Sequence, residues 1–251
     1  MQIIVNEQLV NYETNGQGKT VLLLHGWGDN FHTFDHLIDV LKMQYQTIAL
    51  DLPGFGKSSD PKGTWDFEEF AQFVQDFLSK LSLQPYAIIG HSNGGAIATY
   101  GVGNTLLRAE KLVLIASSGI RSDSTQSKKL LRMLAKTAKI ATKPLPPQVQ
   151  TKLKRHAYKT IGSDMFVAEQ IQDTYKKIVA HDIQTDATRI MQPTALIYGS
   201  DDTATPPSYG ERFHALIANS QLHIIDKAGH FVHHEKPRQV EEIVQSFLAH
   251  E

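Results

Sequence analysis

Six short runs of branched aliphatic residues recur along the chain, and they constrain its fold more than any other feature. The runs are TVLLLH (20–25), YQTIAL (45–50), YAIIGH (86–91), KLVLIA (111–116), TALIYG (194–199) and QLHIID (221–226). Each run is continuous rather than alternating, which is typical of strands buried on both faces of a parallel sheet. The two segments before them, QIIVN and LVNYET, predict a hairpin at the edge of that sheet.

Helical patterns lie between these strands. Over 67–81 the apolar residues follow i, i+3, i+4, i+7 spacing, and Asp66 is a candidate N-cap. Pro237 is well placed to begin a last helix. Its expected buried residues are Val240, Ile243, Val244, Phe247 and Leu248. Strands that alternate with helices predict an α/β fold with right-handed crossovers.

One segment interrupts this alternation, because almost 80 residues without a clear strand separate Ala116 from Thr194. An ordinary crossover is much shorter. We therefore predict a helical cap inserted at 121–187, with 1–120 and 188–251 forming the core.

The first part of this predicted cap is strongly basic. Residues 121–160 carry 11 Lys and Arg side chains and one acid, a charge of +10. We interpret this charge as a solvated outer face. The alternatives are attraction of anionic substrates and peripheral contact with a membrane surface.

Composition removes several classes of function. The net charge is −1, which argues against a nucleic-acid partner, and the absence of cysteine excludes disulfides, thiolate metal sites and a cysteine nucleophile. The N-terminal segment does not read as a signal peptide, and no apolar run approaches the roughly 20 residues that span a bilayer. We therefore expect a cytoplasmic protein without membrane insertion, whose oligomeric state the sequence does not indicate.

The stretch IIGHSNGGAIA (88–98) places Ser92 where a strand turns into a helix. A serine on such a turn is strained and exposes its hydroxyl, and the flanking Gly90 and Gly94 leave room for it. The first N–H groups of the helix, including that of Asn93, would face a developing oxyanion. The alternative is a glycine-rich turn with an idle serine.

A second loop, HGWGDN (25–30), follows the first buried strand. Its glycines let the chain pass close to Ser92, so the Trp27 N–H is the candidate for the second oxyanion donor. His25 in this loop is expected to be buried and to bond loop backbone rather than to act in catalysis. The turn DLPGFGKSSD (51–60) is predicted to be structural, because Asp51 stands where a phosphate-binding loop needs glycine.

A serine nucleophile needs a base and an acid that orients it. His230 is the candidate base, since it lies in a loop between the last strand and the last helix. Asp201 and Asp202 follow a strand at the edge where ligands gather, and one of them is expected to orient the histidine.

Two groups of the remaining histidines are weak candidates for a metal site. His233 and His234, expected in or beside the first turn of the last helix, could combine with Glu235. The pair His32 and His36 lacks a third ligand. We therefore predict neither a metal nor a cofactor.

Together, HGWG, DLPGFGKS, GHSNGG, GSDDTATP and AGHF resemble the α/β-hydrolase superfamily over essentially the whole chain. The resemblance implies a mostly parallel eight-stranded sheet flanked by helices, with a cap after the sixth strand. It also implies the order nucleophile Ser92, acid Asp202 and base His230, with backbone donors at Trp27 and Asn93.

The implied activity is that of a capped serine hydrolase, a carboxylesterase acting on small esters through an acyl-enzyme. Serine at position 92 disfavours the dehalogenase and epoxide hydrolase branches, which carry aspartate there. A lactonase or a carbon–carbon hydrolase of ring-cleavage products remains an alternative, although those hydrolases usually have Asn where this chain has His91. A non-catalytic ligand-binding protein is a further alternative.

Overall fold

The computed structural model describes residues 1–121 and 168–250. Contacts divide the chain into two units, one formed by Met1–Ile120 with Gln170–Glu251 and the other by Arg121–Glu169. Most of the second unit lies outside the described residues, and so does nearly all of the basic stretch. The cap predicted over 121–187 therefore stays a prediction, and its last residues, from Gln170 onward, belong to the first unit.

An eight-stranded sheet lies at the centre of the first unit. Its strands are β1 Gln2–Val5, β2 Gln8–Asn15, β3 Thr20–Leu24, β4 Gln46–Leu50, β5 Ala87–His91, β6 Lys111–Ile115, β7 Thr194–Gly199 and β8 Ser220–Ile225. They are ordered β1-β2-β4-β3-β5-β6-β7-β8. Strand β2 runs antiparallel to both β1 and β4, and all other neighbours are parallel. The predicted edge hairpin and the six predicted strands are confirmed.

Burial of the strands follows their position in the sheet. Every residue of the central strands β3, β5, β6 and β7 is buried, as continuous apolar runs predict. Strand β8 differs, since Ile224 is 43% exposed. The expectation that this run is buried on both faces is wrong, because β8 is an edge strand that pairs with β7 alone.

Helices cover the sheet. In the described residues they are α1 Asp35–Leu41, α2 Phe67–Lys80, α3 Asn93–Gly103, α4 Gln172–Ala180, α5 Gln184–Ala187, α6 Pro207–Leu216, α7 Val232–Glu235 and α8 Pro237–Ala249, with 3-10 turns at Phe31–Phe34 and Glu169–Ile171. Residues of α1 and α8 share one apolar cluster with residues of β3, β5, β6 and β7. Helix α3 instead contacts β5, β6 and α2. None of these helices has the length and apolar character that crossing a membrane requires.

The predicted helix ends agree with the observed ones where local chemistry sets them. Asp66 caps α2 in a capping box, accepting from the Glu68 N–H while Glu69 bonds back to the Asp66 N–H. Helix α8 begins at Pro237. Proline suits the first position of a helix, because the N–H that it lacks would have no partner there. His233 and His234 lie in the separate short helix α7 that precedes it.

Candidate active site

Ser92 occupies the turn between β5 and α3 with φ 51° and ψ −114°. A residue that carries a Cβ rarely adopts a positive φ, so this backbone is strained and must be held by its surroundings. The Ser92 N–H donates to the Ile115 carbonyl at 3.0 Å, and the Ser92 carbonyl accepts from the N–H groups of Ala96 and Ser118. Strand β6 and the first turn of α3 thus fix the position of the serine.

The neighbouring glycines are required by space. A Cβ at Gly90 would lie 2.6 Å from the Gly94 carbonyl oxygen, and a Cβ at Gly94 would overlap the Leu24 carbonyl oxygen. Real Cβ atoms do not approach other atoms so closely. Gly90 therefore packs against the first turn of α3 and Gly94 against the end of β3, which explains why both positions are glycine.

Three side chains that are far apart in sequence form a continuous hydrogen-bonded chain. His230 Nε2 lies 3.0 Å from Ser92 Oγ, and His230 Nδ1 lies 2.9 Å from Asp202 Oδ2. Because Asp202 can only accept from this ring, Nδ1 carries the proton and Nε2 accepts from the serine hydroxyl. The His230 side chain is 22% exposed, whereas that of Asp202 is fully covered. This geometry allows the imidazole to take the proton of Ser92 while a buried carboxylate orients it.

The surroundings of Asp202 favour its ionised form. Burial acts to raise the pKa of Asp202, but hydrogen bonds from His230 and Thr205 outweigh burial, so the pKa lies below its usual value. Oδ1 accepts from the N–H groups of Ala204 and Thr205 at 2.8 and 2.9 Å, and the Thr205 hydroxyl is 2.7 Å from Oδ2. Asp201 is exposed and bonds to Ser200. Of the two candidate acids, Asp202 is the one in contact with His230.

Thr205 and His91 support this arrangement, and sequence reasoning did not assign them a role. His91 is 1% exposed, and its Nε2 lies 3.1 Å from the His230 carbonyl oxygen, which ties β5 to the loop of the base. The threonine three residues after Asp202 forms a local turn with the aspartate, a pattern that the sequence does display. His91 carries no comparable local pattern, because its partner is 139 residues away.

The candidate oxyanion donors lie beside Ser92. A Cβ at Gly26 would be 3.2 Å from Ser92 Cβ, so the loop before Trp27 runs against the nucleophile. Within the described residues, the backbone N–H groups of Trp27 and Asn93 have no hydrogen-bond acceptor. Asn93 is the first residue of α3, whose N-terminus has no capping side chain and no acid in its first turn. An oxygen that gains negative charge next to Ser92 would find free donors there.

The other candidate residues have structural surroundings. His25 is fully buried, bonds the Gly26 carbonyl through Nδ1 and accepts from the Leu52 N–H. Asp51 is buried and accepts from the N–H groups of Phe31 and Lys57, so it has a structural part in the turn. Both observations agree with the interpretation from sequence.

The candidate metal ligands next to the last helix bond other groups in the structure. No group of three or more metal-ligating side chains occurs in the part of the chain that the structure describes. His233 and His234 both bond Thr33 Oγ1, at 3.0 and 2.9 Å. Glu235 instead accepts from the Gly229 N–H.

Comparison with known proteins identifies the family of this chain. The model of the alpha/beta hydrolase family matches residues 21–243. The chain belongs to the alpha/beta hydrolase family. An uncharacterized hydrolase of Bacillus subtilis is 27% identical over 97% of this chain and 94% of its own.

Two further proteins that are similar to this chain have more specific names. A 2-hydroxy-6-oxo-2,4-heptadienoate hydrolase of Pseudomonas putida is 26% identical over 95% of this chain and 94% of its own. The solved structure of an esterase from Exiguobacterium antarcticum superposes with a TM-score of 0.76, at 23% identity over 99% of each chain. The structural match shows a shared fold, while the two names show that this fold serves more than one hydrolytic reaction.

Proposed function

We propose that this hydrolase cleaves carboxylic esters of small substrates through an acyl-enzyme on Ser92. The observation that carries the proposal is the chain of hydrogen bonds from Asp202 through His230 to Ser92, at 2.9 and 3.0 Å. A serine hydroxyl is a weak nucleophile until a neighbouring base accepts its proton. The arrangement supplies this base, together with a carboxylate that stabilises the resulting imidazolium.

The reaction proceeds in two steps, formation of the acyl-enzyme and its hydrolysis. Ser92 Oγ attacks the carbonyl carbon while His230 Nε2 takes the hydroxyl proton, and the backbone N–H groups of Trp27 and Asn93 bind the oxyanion. The ester C–O bond then breaks, and the alcohol leaves with the proton from His230. A water molecule, deprotonated by the same imidazole, attacks the acyl carbon. The acid is released, and Ser92 recovers its proton.

Labelling with a fluorophosphonate tests the nucleophile directly. We expect one adduct in the intact protein, located on the peptide that contains Ser92, and no adduct in the Ser92→Ala variant. Ser118→Ala is the matched control, because Ser118 bonds the Ser92 carbonyl through its backbone only. An adduct that persists in Ser92→Ala, or none in folded wild-type protein, would reject the proposal.

A second pair of variants tests the base. His230→Gln should lower kcat on a para-nitrophenyl ester by several orders of magnitude, since His230 is the base that bonds the serine hydroxyl among the described residues. His234→Gln is the control, because that ring contacts Thr33 and lies outside the chain of three. Equal losses in the two variants would contradict the assignment of His230.

Carbon–carbon bond hydrolysis is the second candidate, favoured by the similarity to the heptadienoate hydrolase. The same three residues could act on a vinylogous diketone. Product analysis by mass spectrometry, with an ester and such a diketone supplied in parallel, separates the two reactions. Turnover of the diketone alone would replace the esterase proposal.

A further inference from the structure

Two buried side-chain donors, both on the candidate oxyanion residues, have no hydrogen-bond acceptor within the described part of the chain. They are Trp27 Nε1 and Asn93 Nδ2, and Asn93 is only 3% exposed. Native proteins rarely leave buried donors unpaired, because the lost solvation is not returned. These two donors therefore need an explanation, and an oxygen atom of a bound substrate provides one.

Both donors belong to the residues whose backbone N–H groups are the candidate oxyanion donors. Asn93 follows Ser92 directly, and Trp27 follows Gly26, which packs against Ser92. The Trp27 ring is held by Phe55 and Tyr175, with ring centroids 4.9 and 5.1 Å away. Each residue thus carries an unpaired side-chain donor in addition to its free backbone donor, and a substrate bound at Ser92 is a candidate to supply the second acceptor.

The charges of the described residues favour a neutral acceptor over a carboxylate. Neither donor is charged, and the buried carboxylate of Asp202 is separated from Ser92 only by the imidazole of His230. Burial, followed by repulsion from His233 and His230, holds the pKa of the His91 imidazole well below its usual value, so this ring adds no positive charge. Within the described residues, no Lys or Arg side chain bonds Trp27, Asn93 or Asp202.

We propose that the acyl group of the substrate carries a neutral oxygen, as a ketone, ether or hydroxyl, that accepts hydrogen bonds from Trp27 Nε1 and Asn93 Nδ2. This inference rests on the proposed ester hydrolysis and adds the class of acyl group. Substrates with a methylene at that position leave both donors unpaired, and they lose binding for the transition state as well as for the ground state.

Matched pairs of para-nitrophenyl esters test the inference. Methoxyacetate is compared with butanoate, and levulinate with isocaproate, so that each pair differs by an oxygen acceptor. For each pair, the ratio of kcat/KM is divided by the ratio of the hydroxide-catalysed rates, which removes the intrinsic reactivity. In at least one pair, we expect the enzyme to prefer the ester that carries the oxygen acceptor. The corrected ratio should rise by a factor of about five for each donor that this oxygen bonds.

The variants Trp27→Phe and Asn93→Leu should each reduce this corrected ratio by about fivefold. Because the ratio is taken within one variant, a general loss of activity cancels. Phe231→Leu is the control, since it alters an apolar ring beside His230 without changing a donor, and its ratio should match wild type. If Asn93→Leu does not fold, Asn93→Ala replaces it.

Three results would overturn the inference. Corrected ratios near one in the wild-type protein, or equal ratios in all variants, would show that the donors do not select the substrate, while ester hydrolysis itself would stand. A preference for the para-nitrophenyl monoester of succinate that disappears in both variants would show that the acceptor is a carboxylate. No hydrolysis of any ester and no labelling of Ser92 would remove the proposed function together with this inference.

Discussion

His233 should make the protein sensitive to mild acid, because its imidazole is buried in the neutral form. The residue is 3% exposed, and its ring centroid lies 4.5 Å from that of His91 and 4.4 Å from that of His234. Its Nε2 bonds Thr33 Oγ1, while its Nδ1 has no hydrogen-bond partner among the described residues. Burial, followed by repulsion from His234, His230 and His36, lowers the pKa of His233 to about 3.

The sign of the effect follows from proton linkage. In the unfolded chain a histidine has a pKa of about 6.5, so below that pH the unfolded state binds a proton that the folded state refuses. The free energy of unfolding therefore falls by about 1.4 kcal/mol per pH unit until the pH reaches the pKa of the folded state. Between pH 7 and pH 5 the loss from His233 is about 2 kcal/mol. His91 shifts in the same direction and adds to the loss.

This loss is large compared with the about 5–15 kcal/mol that stabilises a typical domain. We expect urea titrations followed by circular dichroism to show at least this decrease between pH 7 and pH 5 in the wild-type protein. Carboxylates with ordinary or lowered pKa values titrate below this window, so they contribute little.

Two variants isolate the contribution of His233. In His233→Gln the decrease from pH 7 to pH 5 should be smaller than in wild type by about 2 kcal/mol, whatever the stability of the variant at pH 7. His214→Gln is the control, since it removes a histidine from an exposed position. An identical pH dependence in wild type and His233→Gln would refute the reasoning, as would unchanged wild-type stability at pH 5.

Three further predictions concern single contacts. Asp202→Asn should lower ester kcat by about 10⁴-fold with the fold intact by circular dichroism, because an amide cannot hold His230 in the required tautomer; a loss under tenfold would contradict this. Gly94→Ala should cost about 3 kcal/mol or more in urea unfolding, since its Cβ would overlap the Leu24 carbonyl, and near-wild-type stability would contradict the packing. Lys111→Met should cost about 2–3 kcal/mol in the same assay, because the buried ammonium donates to three carbonyls of the C-terminal segment; an unchanged unfolding midpoint would show that these bonds contribute little.

Much of the framework was predictable from short stretches of sequence. Continuous aliphatic runs mark the buried strands, and the spacing of apolar residues marks α2 and α8. The capping box at Asp66 and the glycines around Ser92 express requirements that operate within a few residues. For this reason the candidate nucleophile and its turn are evident from the local sequence.

Other features could not be predicted locally. The aliphatic run of β8 resembles the central runs, and only its place at the edge of the sheet leaves Ile224 exposed. Helix α6 buries Gly210 and Phe213, too few residues to give a periodic apolar pattern, and nothing near His233 indicates that its ring is buried. Burial depends on what packs against a residue, and those partners come from distant parts of the chain.

The sequence by itself determined the sheet-forming runs, the strained turn at Ser92 and a short set of candidate acids and bases. Only the tertiary structure shows which of these groups meet, because it brings Asp202 and not Asp201 to His230. It likewise decided which of 12 histidines meets the serine hydroxyl, a contact across 138 residues. The physical reason is that parallel strands end at one edge of the sheet, so residues remote in sequence converge there, whereas local sequence rules reach only a turn or two along the chain.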